Sequence, residues 1–317
     1  MRRKMKKINL FILAATFMVY GLSTSVDVAY AQDAAPYKDI VESARNAGID
    51  QARLDAVMLR AQERGVSGEQ FGSMMQPAIS LANSNLPYEP VLQKVMEGLA
   101  KRVPAPQISQ VLLRIESGLN RSAVIVDGWL GQEQTQNMIR SGSRGRDVQQ
   151  ATAQFRNQML ENSAQALQQN IREEHLASLL SQIVAEQAAD RAGLGSVASA
   201  VGILGDLPTS ETDPELSNRI VISALRSGFS VNEMQQLPAA LNAAQLQSRL
   251  PAAAVANGMA EQALSGVPAG NILENLFKGN LKGGPPGFTP PGQANPPGRD
   301  GEDNRRRPNT PPGPPGN

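Results

Sequence analysis

Gly65-Val66-Ser67-Gly68-Glu69-Gln70-Phe71 is the stretch whose reading decides the fold. Ser67 followed three residues later by Gln70 fits a capping box, the signature of a helix start. Val66 and Phe71 stand five apart, the spacing of a hydrophobic staple in which the residue before the cap packs on the first inward residue of the helix. Gly65 suits the left-handed position that ends a preceding helix. A few residues therefore encode one helix end, a tight turn and the next helix start. The same staple recurs at Ile49/Leu54, Val103/Ile108, Phe229/Met234 and Val267/Ile272. Asp50 and Ser230 stand at the cap position, or Pro104 and Pro268 supply a rigid first turn. Ser230 with Glu233 forms a second capping box, and Gly48, Gly228 and Gly266 precede their staples as Gly65 does.

Two stretches share this punctuation at a shift of 163 to 164 residues. Gly65-Val66-Ser67 matches Gly228-Phe229-Ser230, Leu86-Pro87 matches Leu250-Pro251, and Val103-Pro104-Ala105 with Ile108 matches Val267-Pro268-Ala269 with Ile272. Between the turns, Leu54, Val57, Met58 and Ala61 follow i, i+3, i+4, i+7, as do Ile108, Val111, Leu112 and Ile115. Amphipathic helices joined by turns of a few residues pack as antiparallel neighbours. No alternating β-rich run appears. The expected fold is all-α: repeated antiparallel helical hairpins, solenoid-like or bundled, in two related lobes at 36–140 and 191–280.

A different segment separates the lobes. From Asp147 to Glu186 there is no Gly or Pro, and Ala, Gln, Leu and Glu dominate. Phe155, Met159, Leu167, Ile171, Leu179 and Ile183 recur at three- to four-residue steps with gaps. The reading is a long central helix over 147–190, single or two joined end to end; a single one is roughly 60 Å long at 1.5 Å per residue. A homodimer through 147–186 is the sharper alternative to a helix packed on both lobes. Further on, Asp213-Pro214-Glu215 sets cap, first-turn proline and first-turn carboxylate in order.

The ends differ from the middle. Arg2, Arg3, Lys4, Lys6 and Lys7 precede an apolar run from Ile8 to Leu22, and Ala29-Tyr30-Ala31 gives a small-x-small cleavage pattern. Residues 1–31 read as a Sec-type signal peptide cleaved before Gln32, so the destination is the periplasm or the extracellular space. After cleavage no stretch is long and apolar enough for a transmembrane helix. Residues 283–317 hold 11 of the 22 prolines and 8 glycines, with Pro-Pro-Gly five times but without the every-third glycine of collagen. That composition reads as an extended, disordered tail, a spacer or a ligand for a proline-binding groove, and Arg305-Arg306-Arg307 adds a contact for an acidic surface.

Composition narrows the chemistry. There is no cysteine, so an exported chain of this sequence holds together by burial rather than disulfides. The formal charge is +1, and the five basic residues and Asp27 before Gln32 contribute +4, which leaves about −3 for the rest. Neither that charge nor an aromatic content of 4% favours nucleic acid as a partner. His175, the only histidine, follows Glu173 and Glu174 and reads as a solvated helix residue. No cluster has the composition of a metal site, no glycine-rich phosphate loop is present, and no cofactor is expected.

Ile115-Glu116-Ser117-Gly118-Leu119-Asn120-Arg121-Ser122-Ala123-Val124 resembles the Glu-Ser motif of lytic transglycosylases. That resemblance implies Glu116 as the general acid at a helix end and Ser117 as its neighbour in the site. It covers about ten residues. Trp129-Leu130-Gly131-Gln132 stands where the family has Gly-Leu-Met-Gln, and the groove tyrosines are missing. The plain alternative is that Glu116 is a polar residue near a helix end and Gly118 ends the helix; the second copy has Asn280 there. Glu97-Gly98-Leu99-Ala100-Lys101-Arg102-Val103-Pro104 is similar to a helix-turn segment of uncharacterised exported bacterial all-helical repeat proteins with no assigned activity. It implies fold and export and no catalytic residue.

The expected function is that of a non-enzymatic exported helical-repeat protein, an interaction or scaffold module whose partner is an envelope protein or peptide. The alternatives are a peptidoglycan-cleaving, lytic transglycosylase-like enzyme using Glu116, and a structural wall or matrix protein with a Pro/Gly spacer tail.

Overall fold

A computed structural model describes residues 34–281 apart from 144, 146 and 209–212. The signal peptide and the Pro/Gly-rich tail read from the sequence lie outside the described residues. Among the described residues there are fourteen α-helices and no strands. They are α1 (Ala34–Asn46), α2 (Gln51–Glu63), α3 (Gly68–Asn83), α4 (Glu89–Ala100), α5 (Ala105–Leu130), α6 (Glu133–Gly142) and α7 (Val148–Gln168). There follow α8 (Glu173–Ala185), α9 (Ala189–Ala192), α10 (Leu194–Gly202), α11 (Pro214–Arg226), α12 (Val231–Ser248), α13 (Ala252–Leu264) and α14 (Ala269–Phe277), with one 3₁₀ turn at Leu204–Asp206. The fold class is all-α, and among the described residues no helix is long and apolar enough to cross a membrane.

One turn chemistry joins most of these helices. Gly48, Gly65, Asn85, Arg102, Asn170, Gln187, Gly228 and Gly266 all have φ between 52° and 88°. In each case the next residue sends its N–H back to the carbonyl five positions earlier, as in Val66 to Ala61 at 3.1 Å and Phe229 to Ala224 at 3.1 Å. This is the Schellman closure, which satisfies orphan carbonyls at the helix end. The residue that closes one helix also primes the next. Ile49, Leu86, Ile171 and Phe229 are buried, and so are Leu54, Val91, Leu176 and Met234 five residues on. The caps act as read. Ser67 and Gln70 form a complete capping box, Ser230 and Glu233 another, and Asp50 and Asp213 accept from Arg53 and Leu216 backbone N–H groups.

The helices fall into two rows. In one, α1, α3, α5, α7, α10, α12 and α14 each pack on the next. In the other, α2 packs on α4, α6 on α8 and α9, and α11 on α8, α9 and α13. Contacts such as α4 on α5, α5 on α8 and α12 on α13 tie the rows together. The buried side chains between them form one hydrophobic cluster from Tyr37 to Leu276. Phe71 and Phe229, the aromatic members of the matching staples Val66/Phe71 and Phe229/Met234, are fully buried, each contributing roughly 1.5–3 kcal/mol over exposure. Tyr37 stacks on Phe71 with ring centroids 4.5 Å apart and sends its hydroxyl to the Val66 carbonyl, fastening α1 to α3 and the turn before it.

Two expectations are corrected. The segment read as a long central helix over 147–190, single or two joined end to end, is not one continuous helix: α7 ends at Gln168 and α8 begins at Glu173 after a reversing turn. Asn170 takes the left-handed conformation with φ 66°, and the Ile171 N–H bonds to the Ala166 carbonyl at 3.1 Å. Asn tolerates that conformation better than most residues, so a turn forms without Gly or Pro. The apolar stripes of both helices, Phe155, Met159, Leu160, Leu176, Leu179 and Ile183 among them, lie in the chain's own core. The second correction concerns Gly118. It does not end a helix but sits inside α5, which continues to Leu130. A Cβ at Gly118 would come within 3.2 Å of the Gln168 side chain and 3.5 Å of the Ala164 carbonyl, so its glycine allows α5 and α7 to approach closely.

Candidate functional site

Glu116 lies in the middle of α5, partly exposed, and no hydrogen bond or ion pair within the described residues engages its carboxylate. Ser117 is exposed and lines a recess of about 510 Å³ between α5 and the end of α7, with Val111, Leu113, Arg114, Arg121 and Leu167. Glu116 is not among the residues lining that recess. Arg121 is held by Glu173 at 2.7 Å. His175 sits near the start of α8 with its Nε2 2.7 Å from an Arg172 guanidinium nitrogen. Among the described residues no group of three or more His, Cys, Asp or Glu is arranged to hold a metal ion.

A more extensive surface is centred on α7, a helix locked in place from three sides. Ser122 of α5 is fully buried and donates to the Leu160 carbonyl at 2.9 Å. Asn162 donates to the Ala198 carbonyl of α10 at 2.7 Å. The Arg156 guanidinium bonds both carboxylate oxygens of Asp127 at 2.7 Å and the Asn85 carbonyl at 3.0 Å. The Asp127 hydrogen bonds raise the Arg156 pKa above its already high ordinary value, so this clamp stays charged.

With its apolar face buried, α7 presents Gln158, Glu161, Asn162, Gln165 and Gln168 along one side at steps of three and four residues. A polar stripe on a helix is ordinarily a solvated face. This one is recessed. On one side a groove of about 350 Å³ runs between α7, α5 and α4, with Gln93, Lys94 and Glu97 on its α4 wall. On the other a groove of about 420 Å³ runs between α7, α10 and α12, with Ser199, Asp206 and Gln235 on its far side. Asn162 and Gln165 belong to both, so the two grooves meet over α7. Small residues on α10, Gly195, Ala198 and Gly202, keep that wall low.

The groove is rich in amide groups with hydrogen-bonding capacity to offer. Gln93, Gln158, Gln165, Gln168 and Gln235 are exposed, and their amides make no hydrogen bond to the described residues. Each carries two N–H donors and one acceptor oxygen. The charges are unevenly compensated. Lys101 and Lys94 both hydrogen-bond Glu97 at 2.6 Å and bring its pKa down to about 2. Among the described residues no cation pairs with Glu161: desolvation raises its carboxyl above the ordinary range, and the neighbouring Glu89 carboxylate pushes the same way. Glu89 itself pairs with Arg53, at 3.8 Å.

Sequence reasoning singled out Glu116 and Ser117 and missed this surface. The residues that build it are glutamines in a Gln-rich helix, where composition signals helix propensity and nothing more. Their significance comes from the walls that α4, α10 and α12 place beside them. Comparison with protein-family models, with curated proteins and with solved structures finds no match for this chain.

Proposed function

We propose that the chain is a non-enzymatic exported helical-repeat protein that acts as an interaction or scaffold module in the cell envelope. In this reading the segments 36–140 and 191–280 are related hairpin lobes, and α7 is the floor of the binding surface between them. The observation that carries it is the recessed amide stripe of α7, whose exposed Gln158, Gln165 and Gln168, with Gln93 and Gln235 on the walls, make no hydrogen bond to the described residues. Amide side chains suit the backbone of an extended peptide, because each pairs with one N–H and one C=O at once. Grooves between packed helices commonly receive peptides. The partner is an envelope protein contributing such a segment.

The test is capture from the native envelope with the unaltered protein and with Gln158→Ala/Gln165→Ala/Gln235→Ala, all three at exposed positions. The proposal expects one specific protein partner that is recovered with the former and lost with the latter. Equal recovery with both counts against the groove.

A second reading is supported by the placement of Ser117 on the recess beside α5: peptidoglycan cleavage with Glu116 as general acid. Glu116→Gln separates the two. The interaction reading expects no change in wall-fragment release, whereas the enzymatic reading expects its loss.

A further inference from the structure

The interaction reading leaves open what lies on the α7 groove when no partner is present. We infer that the occupant is this chain's own C-terminal segment 282–317, with its backbone carbonyls accepting from the α7 glutamines and Arg305–Arg307 meeting Glu161 and Glu89. The inference rests on the interaction reading for the identity of the surface, and three observations support it.

The first is hydrogen-bond complementarity. The segment holds eleven prolines, each with a carbonyl and without an N–H, so acceptors outnumber donors along it. A chain of that composition favours the polyproline II conformation, which has no internal hydrogen bonds. The groove offers amide donors from Gln158, Gln165, Gln168 and Gln235. The second is charge. Glu161 lines the groove and is repelled by the neighbouring Glu89, it has no cation within the described residues, and the nearby Lys94 is already held by Glu97. Arg305-Arg306-Arg307 is a run of three cations in the sequence that follows the described helices.

The third is reach. Leu281 packs on the core, and Gly279 approaches Gln247 near the C-terminal end of α12. Gln235, at the other end of that helix, lines the groove. The separation along α12 is roughly 18 Å at 1.5 Å per residue. The chain from Leu281 to Arg305 spans up to about 75 Å at about 3.1 Å per residue. Tethering on this scale corresponds to an effective concentration of around the millimolar range, so weak contacts suffice.

The experiment exploits the absence of cysteine. A nitroxide is attached to Ala294→Cys in isotope-labelled full-length protein, and amide signal loss is mapped by NMR. The inference expects loss concentrated on residues 158–168 and at Gln235, and none on α2 or α11. It expects the signals to return with Arg305→Glu/Arg306→Glu/Arg307→Glu and to return partially at high salt. Absent or evenly spread signal loss overturns it. So does loss that appears only when spin-labelled, unlabelled-isotope protein is mixed with isotope-labelled protein, which assigns the groove to a second copy's tail. Signal loss unaffected by the arginine reversal removes the ionic contact and overturns the inference as stated. A bare groove that still captures an envelope partner overturns this inference alone; a bare groove that captures nothing overturns the interaction reading as well.

Discussion

A Cβ built on Gly98 meets the Ile108 side chain at 2.7 Å, inside any normal contact, whereas one built on Gly128 meets nothing within 4 Å. Both glycines lie inside helices, α4 and α5, so helix propensity favours alanine at each by about 0.5–1 kcal/mol. Packing decides between them. Gly98→Ala forces Ile108 off its seat and destabilises by about 1–3 kcal/mol, while Gly128→Ala stabilises by up to about 1 kcal/mol. Urea unfolding of the two variants checks the pair. Glu97 supplies a pH test. Its pKa is lowered to about 2 by Lys101 and Lys94, so its contribution to stability is complete above the unfolded value of 4.5 and is lost as pH falls toward 2. Glu97→Gln lacks this contribution, so the stability difference between the two proteins closes as pH falls from about 4.5 to about 2. A difference that stays constant through that window contradicts the pairing.

Helix boundaries in this chain are set by one short code, and the code was only partly legible. Where Gly occupies the left-handed position, as at Gly65 and Gly228, the turn was readable from sequence. Where Asn or Gln occupies it, as at Asn85, Asn170 and Gln187, the same closure was hidden. The staple spacing still marks the turns at Asn85 and Asn170, and it recurs after Arg249, which also has a positive φ of 58°. Leu86/Val91, Ile171/Leu176 and Leu250/Val255 repeat the five-residue step, and all six residues are buried. Ile171 was read instead as one step in the gapped stripe of a long helix, because a helix and a tight turn between helices both place apolar residues at short steps. Asn170→Val tests the turn, since a β-branched residue resists the left-handed conformation. The expected cost is about 1–2 kcal/mol with helix content by circular dichroism unchanged, and Asn170→Gly is neutral or better. An unaffected Asn170→Val protein contradicts the observed break.

At the scale of the molecule, the seven helices of one row pack in succession and bring together residues far apart in sequence. Gln93 of α4, Gln165 of α7 and Gln235 of α12 share a surface although 142 positions separate the first from the last. That is why the fold class was legible and the candidate surface was not: periodicity reports which face of a helix is buried, and it is silent on which exposed faces become neighbours. Glu116 stood out because a motif of ten residues is visible locally, yet its carboxylate lies outside the recess that Ser117 lines. The α7 surface has no local signature. Its character arises from Gly118 and Ser122 bringing α5 close, from Asn162 fastening α10, and from the Arg156 clamp on Asp127 and Asn85.

The central claim is that this surface is where the protein meets its partner. The most direct measurement places a photo-crosslinking residue at Gln165, in the floor of the groove, and in parallel at Leu59, an exposed position on α2. Irradiation in the native envelope should give one discrete protein adduct from Gln165 and none from Leu59. No adduct from Gln165, or the same adducts from both positions, would contradict the claim.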